Sequence, residues 1–263
     1  MLRKKYEYLG GVIMKILAII PARYKSSRFE GKPLADIYGK PMIWWVYNQV
    51  KKVDGLEEVY VATDDKNIKE KCQEFNINCV MTRNDHVTST ERIFEVAQKI
   101  SADYYLCING DEPLIDPDII KSILNIENGN NDEIYIANLM TKIKDPVEVI
   151  DNTNIKVVTD EDNNAIYMSR SAIPHPKSSM NFEYKKHLGV LLYNYEALKF
   201  FSETKRNFLE NIEDINELRF IEHGKKIKMI EVDANTLSVD TPKDLEKVKS
   251  ILEQKKNTRR KRK

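Results

Sequence analysis

The sequence predicts an α/β fold: a mostly parallel sheet covered by helices on both faces, with a smaller antiparallel extension. Strand-like and helix-like patterns alternate strictly from Lys15 to Ile108, which implies right-handed crossovers between parallel strands. Past about residue 140, strand-like segments follow one another with little more than turns between them, the mark of antiparallel pairing. A chain of 263 residues is long enough for one such domain, and folding it should bury roughly three quarters of the unfolded surface.

"KILAII" (15–20) reads as a strand buried on both faces. "PMIWWVYNQVKKV" (41–53) reads as a helix, with Pro41 suited to its first turn and Met42, Trp45, Val46, Val50 and Val53 along one face; Trp44 and Trp45 are packing residues with no site role. "EVYVAT" (58–63) is the next strand, and "KNIKEKCQEFN" (66–76) the next helix, entered through the capping candidates Asp64 and Asp65. "NCVMT" is a short third strand. "TSTERIFEVAQKI" (88–100) opens with Thr88 and Glu91 at capping-box spacing, and "DYYLCI" (103–108) returns to strand.

Beyond residue 140, "NIKVVTD", "NAIYMSR" and "HLGVLLYN" are strand-like, the first two joined by the turn "DEDNN". Helical patterns follow at 195–203 and 209–223, then the strand "KIKMIEV" and a closing helix over 241–254 with Pro242 in its first turn. No long linker or repeat divides the chain, so residues 14–254 are expected to form one domain whose lobe is about 145–220. Residues 1–13 imitate a secretory signal, but Lys15 interrupts the apolar run and no small-residue cleavage site follows; they read as a leader. No segment approaches the roughly 18 uninterrupted apolar residues of a membrane span.

Basic and acidic residues nearly balance, at 42 against 41, so no global field draws the chain to nucleic acid or an anionic membrane. Any anion binding must come from local asymmetry. The terminal "KKNTRRKRK" reads as a solvated basic tail, with a weak nucleic-acid or lipid contact as the alternative. Cys72, Cys79 and Cys107 are odd in number and lack CxxC spacing; they read as reduced core residues of a cytoplasmic protein.

Three loops carry chemistry. In "IIPARYKSSRFEGKPL" (19–34) a buried strand runs into Arg23, Lys25, Arg28 and Lys32, with Ser26, Ser27 and Gly31 between them. Such a loop can be a solvated surface turn. At the carboxyl end of a parallel strand, where ligands of these sheets bind, its N–H groups, hydroxyls and cations also make a polyphosphate site. It is neither the P-loop GxxxxGK[ST] nor the dinucleotide GxGxxG. In "INGDEPLI" (108–115) Asp111 stands at a strand end, placed either to hold a hard divalent cation or to cap the helix near Pro117. In "LSVDTPKDLEKV" (237–248) Asp240 either caps the closing helix or joins Asp111 in a magnesium site for a nucleoside triphosphate.

These segments, together with "GKPMI", "VYVATDD", "TRNDHVTSTER", "YMSRSAIP", "KHLGV" and "ELRFIEHGKKI", occur in an order that resembles the 3-deoxy-manno-octulosonate cytidylyltransferases, the CMP-Kdo synthetases of lipopolysaccharide and capsule assembly. The likeness spans roughly residues 14–252. It implies a Rossmann-like nucleotidyltransferase, usually a homodimer, in which the lobe serves sugar binding and dimerisation. The anomeric hydroxyl of a 2-keto sugar acid attacks the α-phosphate of CTP and pyrophosphate leaves.

By this resemblance Arg23 and Lys32 bind the triphosphate, with Ser26 and Arg28 in the same loop, and Asp111 and Asp240 hold Mg2+. Arg83 and the segment from Asp85 through Arg92 surround the nucleotide, while Arg170 and His187 lie beside the sugar. On its residues alone His187 reads equally as a core or edge histidine. Departures from the family pattern gather where the sugar is read: Asn109 replaces a glutamine, Leu191 a tyrosine, and Asn216 and Glu217 replace Glu and Gln. Ser89 replaces a glycine near the nucleotide. The changes admit activation of another acidic sugar, an 8-amino derivative or a nonulosonate, or a protein that binds nucleotide or sugar without turnover.

Overall fold

The computed structural model describes residues 14–25, 29–125, 133–179, 181–235 and 237–261, with side chains to 254. The leader 1–13, Ser26 and Arg28 therefore lie outside the described residues, as do the side chains of the basic tail.

Strand β1 (Ile16–Pro21) leads to a small hairpin, β2 (Asp36–Ile37) and β3 (Lys40–Pro41), and then to helix α1 (Met42–Val50). Next come β4 (Glu58–Thr63), α2 (Lys66–Glu74), β5 (Cys79–Met81), α3 (Ser89–Lys99), β6 (Tyr104–Ile108) and α4 (Pro117–Ser122). The second half holds β7 (Ile136–Lys142), α5 (Pro146–Ile150), β8 (Lys156–Thr159), β9 (Ala165–Ser169) and β10 (Lys185–Asn194). It ends with α6 (Tyr195–Glu203), α7 (Phe208–Glu213), α8 (Leu218–Glu222), β11 (Lys228–Glu231) and α9 (Pro242–Lys261). Among the described residues no helix is long and apolar enough to cross a membrane.

The main sheet runs β11-β7-β10-β6-β1-β4-β5, and only β10 opposes the others. Period-2 alternation sends the side chains of β1 to both faces. Ile16, Ala18 and Ile20 join Ile43, Val46, Ile68 and Ile120 on one side; Leu17 and Ile19 join Ile93, Val96, Leu198 and Phe201 on the other. Each such side chain, fully buried, contributes about 1.5–3 kcal/mol. Helix α9 closes a third cluster, with Val239, Leu245 and Val248 against Ile37 and Met42.

The caps follow from local chemistry. Asp65 accepts from the Ile68 N–H at the start of α2, and Thr88 and Glu91 form the reciprocal capping box of α3.

Four expectations change. Strand β10 belongs to the centre of the sheet, between β6 and β7, so the extension is only the β8–β9 hairpin, joined to β10 at Lys186↔Lys156. Strand β7 has no counterpart in the sequence reading. Its buried Asn138 interrupts the apolar run, and the carbonyls of Leu188 and Val190 satisfy that amide at 2.8 and 2.9 Å. The helix expected over 209–223 is two, because Asp214 adopts a left-handed φ of 51°. Pro41 is the N-cap of α1 rather than part of its first turn: its ψ of 150° keeps it extended while it pairs with Asp36.

Candidate active site

The carboxyl ends of β1 and β6 are drawn together by Gly110, where an added Cβ would stand 3.1 Å from the Pro21 carbonyl oxygen. After β1 the Gly31 N–H donates to the Tyr24 carbonyl at 2.9 Å, which ties Gly31 back to the segment that leaves the strand. Gly31 has φ 67°, a conformation that glycine takes without penalty. The single turn Lys32–Leu34 follows and turns the Lys32 side chain inward. The Val239 N–H donates to the Asp111 carbonyl at 2.8 Å, stitching the segment before α9 to the end of β6. Two aspartates distant in sequence thereby meet one lysine. Lys32 Nζ lies 2.8 Å from Asp111 Oδ2 and 3.4 Å from Asp240 Oδ1.

These three residues stand in a cleft of about 400 Å³ that also takes in Arg23, Thr88, Ser89, Arg92, Asn109, Arg170, His187, Asn216 and Glu217. Arg23 is exposed, and its charge lies near enough to Arg92 to oppose it. Asp111 Oδ1 is buried without a hydrogen-bond partner. Behind it Glu112 is also buried, and burial together with Asp111 pushes its carboxyl up to about 7. Among the described residues no group of three or more His, Cys, Asp or Glu gathers around one point. A cation held at Asp111 and Asp240 would therefore take its remaining ligands from phosphate and water, the manner in which Mg2+ is held.

The loop before α3 forms one wall. Glu95 accepts from the Arg83 N–H at 2.9 Å and Lys99 Nζ at 2.6 Å, and also pairs with His86. Against the cost of its burial, these bonds hold its carboxyl down at about 2. Arg92 is buried beneath this loop, bonded to Thr82 and 3.2 Å from Asp64; burial lowers its pKa. The Arg83 side chain does not line the cleft but reaches Asp85 at 3.2 Å on the surface.

The opposite wall comes from β6, β10 and the α7–α8 region. The Asn109 side chain lies over Gly189 of β10, and its backbone N–H donates to the Gly189 carbonyl at 2.8 Å. Arg170 spreads its guanidinium over the carbonyls of Glu213, Asn152 and Asp214 at 2.6, 3.0 and 3.0 Å, which fixes the left-handed turn between α7 and α8. His187 Nδ1 is buried without a partner, and enclosure beside Arg170 and Lys186 lowers the imidazole pKa to about 4. Leu191 and Glu217 line the same wall.

Two charged residues of the cleft escaped the sequence reading. Arg206 reaches Asp214 at 2.9 Å and Glu210 at 3.2 Å, and both Arg206 and Asp214 face the cavity. Their pairing depends on the break at Asp214, for which an unbroken helix over 209–223 leaves no place. Tyr193, also a lining residue, follows Leu191 at period 2 along β10 and could have been found from that spacing.

A cytidylyltransferase family model matches residues 17–227. The Escherichia coli 3-deoxy-manno-octulosonate cytidylyltransferase is 40% identical over 242 residues, covering 91% of this chain and 97% of that protein. The 8-amino-3,8-dideoxy-manno-octulosonate cytidylyltransferase of Shewanella frigidimarina is 40% identical over 237 residues, covering 89% and 97%. A solved structure of CMP:2-keto-3-deoxy-manno-octonic acid synthetase complexed with CTP superposes with a TM-score of 0.86 at 39% identity, over 92% of this chain and 99% of that one. With the cleft at the strand ends of a matching sheet, and likeness over nearly the full length of these proteins, the chain belongs to the 3-deoxy-manno-octulosonate cytidylyltransferase family.

Proposed function

We propose that this chain transfers CMP from CTP to the anomeric hydroxyl of 3-deoxy-D-manno-octulosonate, releasing pyrophosphate, for lipopolysaccharide or capsule synthesis. The observation that carries this reading is Lys32 between Asp111 and Asp240 in a cleft that Arg23 also lines. Nucleotidyl transfer needs in-line positioning and cancellation of charge more than covalent help. Arg23 can fork to phosphate oxygens and Lys32 acts as a point charge, with Ser26 and Arg28 supplying further donors from the same loop.

The buried, unpartnered Asp111 Oδ1 supports Asp111 and Asp240 as Mg2+ ligands. Bound Mg2+ would neutralise charge on the phosphates. Arg92 and the backbone at Arg83 shape the nucleotide wall, and Asn109, Arg170, His187, Asn216 and Glu217 face the sugar acid.

We further propose a cytoplasmic homodimer. The free thiols support the compartment, and the exposed Val147, Ile150, Phe208 and Ile212 of the lobe support the association. Sedimentation velocity checks the latter.

Activation of an amino sugar acid is a second reading, favoured by the carboxyl that Glu217 brings to the wall. The test is pyrophosphate release with CTP and Mg2+ from the octulosonate, its 8-amino analogue and nine-carbon sugar acids. Preferred turnover of the octulosonate, abolished in Asp111→Ala and Asp240→Ala, is expected. Release from none of them would sink the reading.

A further inference from the structure

Glu217 lines the cleft at the start of α8 yet is only 7% exposed. The groups around it are Glu210 of α7, Arg170 at the end of β9, Cys107 of β6 and Tyr193 of β10, with apolar Leu191 and Ile215 on the same wall. The cations of this region are committed elsewhere. Arg170 is spread over three carbonyls, Arg206 is held by Asp214 and Glu210, and Arg219 makes a two-pronged pair with Glu210. Among the described residues no ion pair reaches the Glu217 carboxyl, in contrast to Glu210 beside it. A carboxyl so enclosed avoids ionising. Burial pushes it up to about 7 against a hydrogen bond from its own backbone N–H; Glu210 adds to the rise and Arg170 opposes it in part.

Resting on the reading of the cleft as a sugar-acid site, we propose that Glu217 meets the anionic sugar as a neutral carboxylic acid, donating a hydrogen bond that its ionised form cannot make. An ionised carboxyl only accepts hydrogen bonds and repels a second anion; the neutral acid presents one donor and one carbonyl acceptor, as a glutamine amide does. Sugar binding then follows the fraction of protein in the neutral form. Among the described residues no hydrogen bond or ion pair joins Glu217 to Lys32 or Asp111, whose contacts are with each other and Asp240, so nucleotide binding is not expected to follow it.

The test is the KM for the octulosonate at saturating CTP and Mg2+ between pH 6 and pH 8.5, in wild type and Glu217→Gln. If only the neutral form binds, the wild-type KM rises about tenfold between pH 6 and pH 8. The KM for CTP should show no such rise, and the KM of Glu217→Gln for the sugar should be flat.

A flat wild-type profile, or the same rise in Glu217→Gln, overturns the proposal. A KM that falls with pH also overturns it, because the ionised form of Glu217 would then be the one that binds. Infrared difference spectra of the ligand-free proteins, wild type against Glu217→Gln at pH 6, should contain one protonated-carboxyl band; its absence likewise overturns the proposal. That spectrum needs no substrate, so it still decides the state of Glu217 if no sugar acid is turned over and the proposed function fails.

Discussion

Gly189→Ala is expected to disturb both stability and activity, through one contact. An ideal Cβ built on Gly189 lies 2.5 Å from Asn109 Cγ and 2.8 Å from Asn109 Cβ, and closer still to the amide nitrogen. Carbon atoms rest at about 3.5–4.0 Å. Rotating the Asn109 side chain relieves the first contact but not the second, because Cβ is fixed by the backbone. The ends of β6 and β10 must therefore separate by about 1 Å, straining the 2.8 Å bond from the Asn109 N–H to the Gly189 carbonyl. Overpacking of this kind costs roughly 1–3 kcal/mol.

The same shift carries Gly110 and Asp111 with it, and a misplacement of about 1 Å at a catalytic group can cost on the order of 100-fold in rate. Urea unfolding measures the first effect and pyrophosphate release the second. Asn109→Gly combined with Gly189→Ala removes the clash, so a double-mutant cycle should give a favourable coupling of about 1 kcal/mol or more. If Gly189→Ala unfolds within about 0.5 kcal/mol of wild type and the cycle shows no coupling, the reasoning is refuted.

Arg219→Met should destabilise by about 3–5 kcal/mol, because it leaves the fully buried Glu210 without the two 2.7 Å bonds that neutralise it; replacing both residues by apolar ones should recover most of the loss in denaturant unfolding. Glu217→Gln should gain stability relative to wild type as pH rises. The folded-state value of about 7 exceeds the ordinary 4.5, so the native state binds the extra proton and loses stability between those values. The gain is on the order of 3 kcal/mol above pH 7 and vanishes below about pH 4.5, read from unfolding of the ligand-free protein; a difference that stays constant with pH would contradict the assignment.

Much of the first half was legible because its signals are local. The apolar run of β1, the cap at Asp65 and the box of Thr88 and Glu91 each lie within a few residues, and β4 and α3 stand where their patterns put them. The second half was less so. Asn138 disguises β7 as something other than a central strand, and its amide makes sense only against the carbonyls of β10. Strand β10 itself looks the same from sequence whether it extends a lobe or fills the middle of the sheet, since strand pattern does not encode partners. The turn at Asp214 is likewise held from outside, by Arg170 and Arg206.

By itself the sequence determined the alternation of strands and helices, the cationic loop after β1 and the acidic residues at strand ends, because periodicity, capping and residue chemistry are short-range. Only the tertiary structure decided that Lys32 stands between Asp111 and Asp240, that the Arg83 side chain reaches Asp85 instead of lining the cleft, and that Glu217 is enclosed with no cation paired to it among the described residues. Distances between residues far apart in the chain, and the solvent each side chain loses, arise only when the sheet closes. Those two quantities, separation and desolvation, set the charges of the site.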